Sequence, residues 1–94
     1  MANVDIAVFR SGSRFFVRPA VVLAENGDTV CWYNYTKGAL QFHFPGAALA
    51  PKGDKKKYCA RVEKRLEGPL PYQVYSEEAG DYCEGESSPK IIFK

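Results

Sequence analysis

The chain has 94 residues, 46% of them hydrophobic and 14% aromatic, with a formal net charge of +2. That length gives one domain, spanning residues 1–94, with a core between two packed layers and no room for a second. No run of about 18 apolar residues is present to cross a membrane as a helix, and Met1-Ala2-Asn3-Val4-Asp5 lacks the charged and apolar regions of an export signal. The reading is of a soluble domain, extracytoplasmic if Met1 replaces an export signal and cytoplasmic otherwise.

Period-2 alternation runs through the chain. Val4, Ile6 and Val8 alternate with Asp5 and Ala7 until Arg10-Ser11-Gly12-Ser13 breaks the pattern, which predicts a first strand and a turn. Residues 15 to 23 read as a second strand with an edge or bend at Pro19, which lacks a ladder donor. Glu25-Asn26-Gly27-Asp28 is a turn, because Asn and Gly tolerate positive φ. In the strand from Thr29 to Asn34, Val30 and Trp32 share one face, and Cys31 and Tyr33 the other. After a turn at Lys37-Gly38, Leu40, Phe42 and Phe44 alternate with Gln41 and His43, which places His43 on the outer face. Residues 47 to 54 read as loop, Lys55 to Val62 as a strand, Tyr72 to Ser76 as a strand, and Lys90 to Phe93 as the last. Seven strands and no clear helix predict an all-β, two-sheet sandwich with Trp32, Leu40, Phe42, Tyr72 and Val74 in its core.

The run Val21-Val22-Leu23-Ala24-Glu25-Asn26-Gly27-Asp28-Thr29-Val30-Cys31-Trp32-Tyr33-Asn34 resembles the cupredoxin strand pair, in which a Gly-Asp turn leads into a strand ending Trp-x-Asn. Leu40-Gln41-Phe42-His43-Phe44 is similar to the strand that follows. Tyr72-Gln73-Val74-Tyr75-Ser76 resembles the strand that ends on the copper-binding Cys in plastocyanin-like proteins. The resemblance covers roughly residues 15 to 94 and implies a Greek-key sandwich of the cupredoxin type. It also implies degenerate copper-ligand positions: the first His falls at Leu40 and the Cys at Ser76. The second His and the Met fall between Glu77 and Pro89, where Glu84, Glu86, Ser87 and Ser88 stand and no His or Met does. Composition agrees independently. A type 1 copper centre needs two imidazoles and a thiolate, and His43 is the only histidine.

An immunoglobulin-like sandwich is the alternative fold. Glu78-Ala79-Gly80-Asp81-Tyr82-Cys83 is similar to that family's second-sheet signature, but its Cys follows Tyr directly, and Cys31 adjoins Trp32 rather than preceding it by a strand.

The cysteines Cys31, Cys59 and Cys83 show none of the close pairing of a Cys₃His zinc site. With Cys31 read as a buried free thiol beside Trp32, Cys59 and Cys83 are the expected disulfide. That closure would stabilise the fold by roughly 3 kcal/mol on the chain-entropy model.

Charge is segregated. Lys52, Lys55, Lys56, Lys57, Arg61, Lys64 and Arg65 cluster with only Asp54 and Glu63 between them, whereas Glu77, Glu78, Asp81, Glu84 and Glu86 form a wholly acidic stretch. Arg14, Arg18, Lys55, Lys56 and Lys57 are therefore candidate macromolecular contacts. Arg14 and Arg18 flank Phe15 and Phe16, of which alternation places at least one in the core. The expected partner is another protein rather than nucleic acid. No nucleophile–base motif, phosphate loop or metal-hydrolase motif is present. The sequence thus predicts a non-enzymatic binding or structural module with no cofactor and no assigned metal or catalytic residue. The alternative is a nonstandard metal site using Cys83, His43 or acidic loop residues.

Overall fold

The computed structural model describes residues 2–63, 66–83 and 89–93. Strand β1 (Asn3–Ser11) turns at Gly12, whose φ of 65° permits a two-residue reversal, into β2 (Arg14–Arg18). On its other side β1 pairs in parallel with β4 (Thr29–Asn34). Antiparallel β7 (Lys57–Arg61) and β6 (Lys52–Asp54) complete a five-stranded sheet in the order β2-β1-β4-β7-β6. The second layer consists of two three-stranded pieces. One is ordered β3 (Val21–Ala24), β11 (Lys90–Phe93), β8 (Gly68–Pro71), and the other β10 (Asp81–Tyr82), β9 (Gln73–Ser76), β5 (Leu40–His43). They meet at Tyr72, which links β8 to β9 and donates its N–H to the Pro89 carbonyl at 2.9 Å.

The core lies where the alternating patterns face each other. Ile6, Val8, Val17, Val30, Trp32 and Ala60 point in from the first sheet, against Val22, Leu40, Tyr72, Val74, Ile91 and Phe93 from the second layer. Trp32 is central. Its ring centroid is 5.0 Å from that of Phe42, and its Nε1–H donates to the Tyr72 hydroxyl at 3.1 Å. Burial pushes the Tyr72 phenol up to about 12. Of the expected core residues, Trp32, Leu40, Tyr72 and Val74 are buried and Phe42 is half-buried against the cluster; His43 is exposed on the outer face. The Glu25–Asp28 turn forms as the sequence dictates, with the Asp28 carboxylate accepting the N–H groups of Glu25 and Ala2, each at 2.9 Å.

Several details differ from the sequence reading, among them the short strands β8 and β10, which it did not expect. The stretch from Arg14 to Ala24 is two strands, one at the edge of each layer, because the ladder cannot continue through Pro19. Residues 52 to 54 form β6 rather than loop. Gly53 makes this approach feasible, since a Cβ there would run into the Lys57 carbonyl, and Asp54 caps the hairpin by accepting the Lys56 and Lys57 N–H groups. Residues 55 and 56 are consequently turn, not strand. Finally, β2 sends Val17 into the core, whereas Phe15 and Phe16 are both only half-buried. The β1–β2 hairpin extends beyond the last β1–β4 pair, Val8 with Asn34, so its tip has no core beneath it.

Candidate interaction face

The register of the five-stranded sheet fixes which side chains share its outer surface. One cross-strand row reads Arg18, Ala7, Tyr33, Lys57, Asp54, and the neighbouring pair toward the hairpin tip is Phe16 with Phe9. On the other side lies the row Asp5, Cys31, Cys59, Lys52. Aromatic and basic groups are interleaved here. The Arg14 and Arg18 guanidinium carbons lie 5.4 and 5.3 Å from the centre of the Phe16 ring, and Lys57 Nζ lies 5.2 Å from that of Tyr33. Phe16 and Phe9 have ring centroids 5.8 Å apart. Small Ala7 leaves a depression of about 310 Å³ lined by Asp5, Ile6, Ala7, Arg18, Tyr33 and Tyr35.

Tyr35 borders this depression with 71% of its surface exposed. It extends β4 by one step, its N–H donating to the Val8 carbonyl at 2.8 Å. The loop it begins is held on all sides. Asn34 Nδ2 donates to the Gly38 and Lys55 carbonyls at 2.9 and 2.7 Å, and its Oδ1 accepts from Thr36. Glu78 accepts the Lys37 N–H at 2.7 Å and pairs with Arg10 at 3.0 Å, while Glu77 accepts the Ala39 N–H at 3.1 Å. The acidic stretch thus uses two carboxylates to fix the backbone of an exposed loop.

Arg14, Arg18 and Lys57 come together on this face, and Lys55 and Lys56 occupy the adjoining β6–β7 turn. Lys64, Arg65, Glu84, Glu86, Ser87 and Ser88 lie outside the described residues. Tyr33, Tyr35 and Phe9 were not among the sequence candidates, although the alternation through Cys31, Tyr33 and Tyr35 carries the signal for two of them. The expected disulfide is corrected: Cys59 bonds to Cys31, its direct partner across β4 and β7, and Cys83 is the free thiol. Spacing along the chain could not reveal this, because the pairing follows from strand register. A bridge within one sheet also departs from the inter-sheet disulfide of antibody domains.

Leu40 and Ser76 are direct cross-strand partners on β5 and β9, both buried. Leu40 donates its N–H to the Tyr58 hydroxyl at 3.1 Å, and Ser76 Oγ accepts the Ala79 N–H at 3.2 Å. His43 points outward, its ring 5.7 Å from that of Tyr82. Cys83 instead packs against the core, and burial pushes its thiol up to about 11. Among the described residues, no three His, Cys, Asp or Glu side chains gather as a metal site.

No protein-family model matches the sequence, and no curated protein matches it. Solved structures do. A cysteine protease inhibitor of Entamoeba histolytica is similar over 100% of this chain and 97% of its own, with a TM-score of 0.64 and 11% identity. An amicyanin variant in its Cu(I) form aligns over 98% of this chain and 82% of its own, with a TM-score of 0.60 and 14% identity. The pseudoazurin of Methylobacterium extorquens AM1 aligns over 97% and 74%, with a TM-score of 0.55 and 16% identity. The fold is a cupredoxin-like β-sandwich. At these identities the likeness concerns fold alone.

Proposed function

We propose that this domain is a non-catalytic binding module on a cupredoxin-like scaffold without type 1 copper, and that it meets a protein partner through the outer face around Tyr35. The observation carrying this reading is an exposed tyrosine on a loop whose backbone is fixed by Asn34, Glu77 and Glu78. Ordering a surface loop costs roughly 1 to 2 kcal/mol per residue in backbone entropy. A loop ordered in advance spares that cost on association, and tyrosine supplies contact area with few rotatable bonds.

The donor set supports the copper-free part. Leucine at position 40 offers no donor atom, and the Ser76 hydroxyl is engaged by Ala79. Cys31 and Cys59 are joined on the opposite sheet, and His43 faces away from the core. These residues do not fit a centre made from two imidazoles and a thiolate. Of the residues in the nonstandard-metal alternative, His43 and Cys83 are directed to opposite sides of their layer, while the acidic loop residues Glu84 and Glu86 lie outside the described residues.

A neighbour of nearly equal length described as a cysteine protease inhibitor lends this scaffold a precedent for acting by binding. The test is crosslinked capture from the native source with wild type and Tyr35→Ala, alongside inhibition assays on cysteine proteases. Tyr35→Ala should keep the denaturation midpoint within about 0.5 kcal/mol of stability. It should weaken partner capture by roughly tenfold or more. Equal capture of the same partner by both proteins overturns the reading.

A further inference from the structure

The chemistry of the partner follows from the edge of the same face, and this step rests on the reading above. Strand β2 is one of the two edge strands of the five-stranded sheet, β6 being the other. Its two-residue hairpin makes Ser11–Arg14 the closing, hydrogen-bonded pair, and antiparallel alternation then assigns the same character to Phe9–Phe16 and Ala7–Arg18. The N–H and C=O groups of Phe15 and Val17 therefore point away from β1. No backbone hydrogen bond among the described residues takes them up. An edge with such groups is a template for another strand.

The side chains say which strand. On the outer face β2 presents Arg14, Phe16 and Arg18 at successive alternate positions, beside Lys57 and the Tyr35 depression. Leaving aside Arg14 and Arg61, which have contacts of their own, the described residues of that outer surface set Arg18, Lys52 and Lys57 against Asp5 and Asp54, and Asp54 is occupied by the β6–β7 turn. Cations already lie over the rings of Phe16 and Tyr33, so flat bases would have to displace them in order to stack. A carboxylate can approach Arg18 and Lys57 from the side without moving them off the rings.

We infer that the partner contributes an extended acidic polypeptide segment that adds to β2 as a sixth strand. Its backbone pairs with Phe15 and Val17, and an acidic side chain lies opposite Arg18. The residue two positions along the same face lies opposite Phe16. This is strand addition, with backbone hydrogen bonds for affinity and alternate side chains for specificity.

The test uses fluorescence anisotropy with an alternating Glu-Val peptide, its Lys-Val counterpart and oligothymidylate as probes. The Glu-Val peptide should bind and weaken with added salt, and the Lys-Val peptide should not bind. Arg18→Glu should raise Kd by about tenfold, in the range of a cross-strand charge reversal on an interface anchor. Phe15→Pro removes an N–H that faces the free edge while leaving the β1–β2 ladder whole, so it should abolish binding with an unchanged far-ultraviolet spectrum. Equal binding of the Lys-Val peptide, preference for oligothymidylate, or full affinity in folded Phe15→Pro each overturns the inference. Those outcomes leave the Tyr35 capture experiment standing, because it scores the native partner and makes no use of strand addition.

Discussion

Truncating Leu40 tests the packing between β5 and β9, where the cupredoxin resemblance places a first ligand. Leu40 is 5% exposed, so Leu40→Ala falls in the class of buried leucine truncations that cost about 2 to 5 kcal/mol. Two features push the cost into the upper part of that range. The Leu40 N–H is tied to the Tyr58 hydroxyl, which holds the backbone in place, and its cross-strand partner Ser76 is too small to fill the space vacated. A loss of about 3 to 5 kcal/mol is expected. At an m-value of about 1.5 kcal/mol/M, the urea midpoint drops by about 2 to 3 M. Trp32, the single tryptophan, lies in the core and reports the transition by fluorescence. Leu23→Ala is the control. Leu23 is 52% exposed on β3, and its truncation should cost no more than about 0.5 kcal/mol. Equal midpoints for the two variants would refute the reasoning, since the two residues differ in burial and not in chemistry.

Denatured protein alkylated without reduction should gain one label, at Cys83, and after reduction three; a first label at Cys31 would restore the Cys59–Cys83 pairing. In the native state, alkylation of Cys83 should be slow near neutral pH and accelerate toward about 11, because burial disfavours the thiolate. The N–H groups of Glu25 and Ala2 hold the Asp28 carboxyl below the ordinary aspartate value of 3.8. Its stabilising contribution is therefore complete above the unfolded value and disappears as pH falls through the lowered folded one. Asp28→Asn should flatten the loss of stability measured between about pH 5 and 2, and an unchanged acid slope would remove Asp28 from the account.

Alternation was enough to read the faces of β5 and β9, because each presents a buried row against a more exposed one, Leu40 inward and His43 outward, Val74 inward and Gln73 outward; in β4 it placed Trp32 inward although Cys31 on the opposite face is buried as well. It could not give the register between strands distant in sequence. That is why the disulfide was misassigned. Cys31 and Cys59 are 28 residues apart and meet only because β4 and β7 pair with these two residues opposite each other. The same limit hid the proposed interaction face. Arg18, Ala7, Tyr33 and Lys57 come from four strands, and nothing local to any one of them marks it as a neighbour of the others.

The sheet's outer surface also separates two roles that proximity to the core would otherwise confuse. Cys31 is buried although it points away from Trp32, because the bridge to Cys59 and the surrounding row cover it. Closing that loop should stabilise the fold by about 3 to 4 kcal/mol on the chain-entropy model. The bridge ties β4 to β7 beside the row that carries Tyr33 and Lys57, so the middle of the face is held by a covalent link as well as by its ladder. At the hairpin tip the restraint is weaker: Phe9 and Phe16 lie past the end of β4 and pack chiefly on each other and on arginine. A rigid centre with a less supported edge suits a face whose partner arrives as an additional strand, since the edge can adjust to the incoming backbone while Tyr33, Tyr35 and Lys57 keep their places.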